Sequence, residues 1–235
     1  VSNVTNMNGM FYNCSKFNQD LSNWNVSNVA NMYSMFYNCK KFNTSINSWD
    51  VANVTNMSHM FRGSGNDGYN QPLDNWNVSN VTNMREMFGY TAFNQDIGSW
   101  NVSKTTTFYT MFRNNPAFNQ DLNLWNIKPS SSIDYMFLHA TSFDQVLDGY
   151  YWVTHSTFDS VNPNNVFVGS SGSVGILPEA VTITIANIPP PGGDSALSSG
   201  FLSVLGKHKF SLGVSSNSLN ITEADLSVTN GIVSN

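Results

Sequence analysis

Charge is what this sequence has least of. Only 11% of its 235 residues are Asp, Glu, Lys or Arg, against about 25% in an ordinary soluble domain. Glutamate is confined to Glu86, Glu179 and Glu223. Ten Lys and Arg against 15 Asp and Glu give a formal charge of -5, which leaves no electrostatic footprint for nucleic acid. No run approaches the ~20 apolar residues of a membrane span. There is no initiator Met, no charged segment leading into an apolar one, and no sorting tail, so the sequence reads as processed or as a fragment of something longer. Cysteine is limited to Cys14 and Cys39, too few to fix a redox compartment. The signatures of catalysis are missing as well: no H-E-x-x-H, G-x-S-x-G, P-loop or dinucleotide fingerprint. His59, His139, His155 and His208 stand at no metal-ligand spacing. The expectation is a protein without cofactor or metal that is not an enzyme.

What is present is asparagine, with 35 copies, and aromatic residues at 13%. The apolar share of 40% is too high for a disordered chain. Much of this composition is periodic. The pair Met-Phe recurs at Met10, Met35, Met60, Met87, Met111 and Met136, with spacings of 25, 25, 27, 24 and 25. Phe17, Phe42, Tyr69, Phe93, Phe118 and Phe143 run in step. So do Trp24, Trp49, Trp76, Trp100 and Trp125, with Trp152 as a displaced sixth. Periods of 20–50 residues mark repeat architectures, whose units bury an apolar side only by stacking on neighbours.

One unit runs from Phe17 to Phe36. Val29, Met32, Met35 and Phe36 follow the spacing of a short helix, with Ser27 or Asn28 as its N-cap. Leu21 to Val26 has the alternation of a strand. The spacing therefore predicts a strand plus a short helix per rung, with equivalent residues forming ladders about 4.8 Å apart where strands pair. Asn18, Asn43, Asn70, Asn94 and Asn119 share one phase, and Asn25, Asn77, Asn101 and Asn126 another. Stacked amides at turning backbone, or a ligand surface, would account for them. Asp20, Asp96 and Asp121 share a phase too; repeated identical environments suit turn or cap chemistry better than the two differently tuned carboxylates of an acid–base pair.

The string M-F-x-x-C/S/A-x-x-F-N-Q-D-L-x-x-W-N-V-S-N-V-T-N-M resembles the BspA-like surface-protein repeat, a divergent relative of leucine-rich repeats, over roughly Val1 to Trp152. The resemblance implies a right-handed, leucine-rich-repeat-like solenoid, secreted or displayed on a cell surface and engaged in adhesion. It implies no catalytic residues. The repeat drifts late, where Lys104 to Phe108 and Lys128 to Ser130 replace the S-N-V-T-N-M string.

Cys14 and Cys39 hold the same repeat phase, so adjacent rungs would place them within disulfide reach; buried free thiols are the alternative, since Ser64 and Ala140 fill the same slot. Sequons are numerous, Asn3, Asn13 and Asn220 being glycosylation candidates, although an Asn-, Ser- and Thr-rich repeat generates them mechanically. The position after each Met-Phe reads Tyr12, Tyr37, Arg62, Gly89, Arg113 and Leu138. Tyr12, Tyr37, Arg62 and Arg113 are of the types enriched in binding hot spots, or they merely cover the side of the rung.

After residue 155 the repeat stops. Residues 156–178 read as a linker or capping loop, and 179–235 as part of a β-sandwich. Val181 to Ile185 alternates as a strand, Lys207 to Val214 is another candidate, and Leu226 to Val233 forms a hairpin on Asn230-Gly231. Ile221 to Gly231 resembles a string of bacterial immunoglobulin-like modules, which need about 100 residues. Both ends of the chain are expected to fall inside a structural unit. The expected fold class is thus a repeat solenoid followed by an all-β immunoglobulin-like region. The functional expectation is a surface protein adhering to a protein or glycan partner on another cell or matrix. The alternative is a segment of an extracellular fibre or appendage, self-assembling with like chains. Neither nucleic acid nor a membrane span enters.

Overall fold

The computed structural model describes residues 1–65, 68–153, 155, 165–175, 181–185, 202–204 and 226–228. The chain divides into two compact units, Val1–Gly175 and Ile176–Asn235.

The first unit is a stack of coils built from turns. The second coil shows how. Met35 N–H bonds to the Met32 carbonyl, Tyr37 to Ser34 and Cys39 to Phe36, each closing a four-residue turn at 3.0–3.2 Å. The intervening amides point the other way: those of Met32, Ser34, Phe36 and Asn38 donate to Asn56, Ser58, Met60 and Arg62 of the next coil, at 2.8–3.0 Å. Alternate amides thus close the coil and join it to its neighbour, and few are left orphaned. Single parallel bridges run Asn6–Asn31–Asn56–Asn83–Thr107–Ser132 up the stack.

This corrects the expected strand-plus-helix rung. Among the described residues the only helix is α1, Tyr150–Val153, and the only strand pair in this unit is β1, Val146–Leu147, parallel to β2, Ser173–Val174. The physical reason lies in the backbone. Each coil puts two residues into the left-handed region, four apart: Gly9 and Asn13, Ser34 and Asn38, His59 and Gly63, Glu86 and Tyr90, Thr110 and Asn114, Tyr135 and His139, with φ between 49° and 77°. A positive φ at the third position is what type II turns require, and a right-handed helix cannot pass through it. The apolar i, i+3 spacing that imitates a helix arises because alternate turns begin and end on inward residues, as Val26 and Val29, Met32 and Met35, or Phe36 and Cys39 do.

The inward residues form columns. Phe11, Phe36, Phe61, Phe88, Phe112, Phe137 and Phe167 stack with centroids 5.4–5.8 Å apart and planes within 10°. Burying one such ring contributes about 1.5–3 kcal/mol. Beside them, the indole N–H of Trp49, Trp76, Trp100, Trp125 and Trp152 donates to the carbonyl of Leu21, Ile46, Leu73, Ile97 and Leu122 in the preceding coil, at 2.7–3.1 Å. The asparagine ladder forms as well: Oδ1 of Asn18, Asn43, Asn70 and Asn94 accepts the backbone N–H of the next Asn, at 2.9 Å. Asp20, Asp96 and Asp121 accept the amide two residues on, at 2.8 Å, which is cap chemistry. That bond holds the Asp20 carboxyl below its ordinary range. Within the stretch read as a linker, Phe137 and His139 donate to Val166 and Val168, so residues 165–175 add a further coil.

In the second unit, β3 (Val181–Ile185) lies between β4 (Leu202–Val204) and β5 (Leu226–Val228), antiparallel to both. Three short strands in one sheet are not the two packed sheets of an immunoglobulin-like sandwich, so that part of the expected fold class is corrected too. The Lys207 to Val214 strand, the Asn230-Gly231 turn and the Asn220 sequon lie outside the described residues.

Candidate functional site

The four residues after Met-Phe each close a turn, opened by Gly9, Ser34, His59 and Thr110, and none of their side chains is buried in the core. Tyr37 and its equivalents therefore share one face, one coil apart. The Tyr12 and Tyr37 rings stack at 4.7 Å and 14°. The Arg62 guanidinium lies 5.1 Å from the other face of Tyr37 and 4.9 Å from Tyr90. Arg113 covers Tyr90 from the far side, at 5.6 Å. Tyr12, Tyr37, Arg62, Tyr90 and Arg113 thus make one column of planar groups over five coils. Cation–π contacts of this kind contribute about 0.5–1 kcal/mol at exposed sites. Leu138, half-buried, adds no ring or cation to it.

Tyr90 was not legible as a member. The phase of the column falls on Gly89 in the fourth coil; Tyr90, one residue on, takes the place between the two arginines at a φ of 58°. Its only sequence signal is a large ring beside a glycine where the other coils carry Asn, Gly or, in the sixth, His. Two further residues were missed. Glu86 is almost buried and accepts a hydrogen bond from Nε of Arg62, whose Nη1 donates to the Tyr37 hydroxyl. His59 Nδ1 sits 3.7 Å from Glu86 Oε2, beyond hydrogen-bond reach. Burial holds the imidazole below its ordinary range; Glu86 pulls it up, while Arg62 and Arg85 push it further down. Arg85 forms a separate stack on Tyr109 at 4.5 Å, so all three arginines of the chain lie over tyrosines.

Beside the column runs a groove of about 750 Å³ along the stack, from Asn38 and Lys40 past Gly63 and Gly65 to His139 and Thr141. Two buried polar atoms, Nε of Arg113 and Oδ1 of Asn114, have no hydrogen-bond partner among the described residues.

Cys14 and Cys39 both carry free thiols, Cys14 exposed and Cys39 buried. The Cys39 thiol donates to the Phe11 carbonyl at 2.9 Å, and burial pushes its pKa up to about 12, so it is an inert core group. Asn3 and Asn13 are exposed; Asn13 Oδ1 accepts from Nδ2 of Asn38. Among the described residues no group of three His, Cys, Asp or Glu could hold a metal ion, and no helix is long and apolar enough to cross a membrane.

A comparison with curated proteins finds no match, and neither does one with solved structures. The family described as "Mycoplasma protein of unknown function, DUF285" matches residues 1–89 and again 64–170. Those two spans cover more than half of the sequence, and the chain belongs to that family.

Proposed function

We propose that this is a non-enzymatic extracellular or cell-surface protein whose stacked coils display a surface for adhesion to a protein or glycan partner. The observation that carries this reading is the column of Tyr12, Tyr37, Arg62, Tyr90 and Arg113, because Tyr and Arg are the residues interfaces draw on most for binding energy. The likeness of the repeat to BspA-like surface proteins supports the location. The test is binding of the whole chain to a panel of glycans and extracellular-matrix proteins. Binding that Tyr12→Ala and Arg113→Ala weaken, with the fold retained, supports the reading. No binding to any member, or hydrolysis of a glycan by a clean preparation, overturns it.

The second reading is a segment of a fibre or appendage built from like chains. Sedimentation that shows elongated, concentration-dependent species favours this reading; a monomer at all concentrations removes it.

A further inference from the structure

We infer that the groove beside the column seats a linear anionic glycan whose sugars carry carboxylate or sulfate groups. The inference rests on the adhesion reading and names the ligand class for it. Three observations lead there.

Charge comes first. The chain as a whole is acidic, yet Lys40 and Arg62 line this groove, and Arg113 precedes the lining residue Asn114 and covers the lining residue Tyr90. Glu86 pairs with Arg62 and neutralises it, which leaves Lys40 and Arg113 as the cations that no carboxylate among the described residues offsets. A positive trough on an acidic molecule selects a negative ligand and repels it elsewhere.

Shape comes second. The groove takes lining from the second to the sixth coil. At about 4.8 Å per step of a parallel stack, that is the reach of an oligosaccharide, not of a single sugar. Gly65 leaves open space where any other residue would place its Cβ. The amides of Asn38 and Asn114 and the Thr141 hydroxyl offer paired donors and acceptors to sugar hydroxyls.

The third observation separates a glycan from an acidic peptide. A peptide docks on an unpaired backbone edge or in pockets for its side chains. Here the amides along the groove are spent between coils: Asn38 to Arg62, Gly63 to Gly89, Tyr90 to Arg113 and Asn114 to Leu138. Both faces of Tyr90 are covered by guanidinium groups, so no aromatic pocket opens.

The experiment is calorimetric titration of the whole chain with four polymers: polygalacturonate, dextran sulfate, unmodified dextran and polyglutamate. Binding to the first or the second, and not to dextran or polyglutamate, is expected, and the two positive arms tell carboxylate from sulfate. The double variant Lys40→Gln, Arg113→Gln should weaken it about tenfold or more with unchanged circular dichroism, and raising salt to ~0.5 M should weaken the wild type as screening shortens. Arg85→Gln, in the separate stack, should leave binding as it was. Equal binding of dextran, equal binding of polyglutamate, or indifference to the double variant overturns the inference. Adhesion to a matrix protein with none of the four polymers bound also overturns it, while leaving the adhesion reading standing.

Discussion

At the scale of single residues, the molecule is governed by where its backbone turns left-handed. Ten non-glycine residues among those described hold a positive φ. Asn13, Asn38 and Asn114 tolerate it; Thr110, a β-branched residue, does so only because its neighbours fix it. Gly63 and Gly65 separate two consequences of this geometry. Both have positive φ, but a Cβ on Gly65 meets nothing within 4 Å, whereas one on Gly63 would come 2.0 Å from Oδ1 of Asn38. Gly65→Ala should therefore cost only the left-handed penalty, about 1–2 kcal/mol. Gly63→Ala should cost measurably more, because Asn38 must also leave its bond to Asn13. Urea denaturation midpoints check the pair; equal losses would contradict the packing given for Asn38. His59 supplies a pH dependence. Its imidazole ionises near 6.5 when unfolded and lower when folded. The unfolded chain then binds the proton more readily, so stability is full above 6.5 and falls as pH drops towards the folded value. His59→Asn, which suits a φ of 58°, should flatten that slope in the difference between variant and wild-type denaturation curves recorded from pH 7.5 to pH 5.

At the scale of the coil, sequence pattern and structure agree on position and differ on conformation. The Met-Phe, Phe and Trp markers do fall at equivalent places, since a side chain that must meet its own kind one coil away can hardly change phase. The helix was a misreading with a clear cause: alternate turns put apolar residues at i and i+3, as one face of a helix does. Only φ distinguishes the two, and Ser34, His59, Glu86, Thr110 and Tyr135 carry no compositional sign of a left-handed turn. The candidate site was legible in the same proportion. Tyr12, Tyr37, Arg62 and Arg113 kept phase, while Tyr90 and Glu86 entered through contacts across coils that no single repeat reveals. The tryptophan column offers the test of coil-to-coil bonding. Trp100→Phe removes the bond to the Leu73 carbonyl and leaves space in a close-packed column; it should cost about 2 kcal/mol or more. Trp24 is only partly buried and sits in the first coil, so Trp24→Phe should cost well under half as much. Fluorescence-detected unfolding of both variants decides, and similar losses would mean that the indole bonds contribute little.

At the scale of the whole stack, the scarcity of charge has a structural reason. Equivalent residues recur at each step, so a charge repeated in phase would face its like from coil to coil, whereas an amide donates and accepts in the same column. The asparagine ladder does this from Asn18 to Asn119 and ends on Asp144, whose amide N–H takes the last place at 3.2 Å. A stack joined only through nearest neighbours has stability that is a sum of coils and interfaces. Its ends are held from one side and its middle from two, although the bonds are locally alike. The amides of Gly9 and Phe11 donate to the second coil at 2.8 and 2.9 Å, and those of Phe61 and Phe88 to their next coils at 3.0 Å. Bond length alone would protect the first pair at least as well. Nearest-neighbour coupling predicts the reverse: in hydrogen exchange, Phe61 and Phe88 should exchange with the free energy of opening the stack, and Gly9 and Phe11 faster, through fraying of a single interface. Uniform protection across all four would show that the coils open together as one unit, and the additive account would then fail.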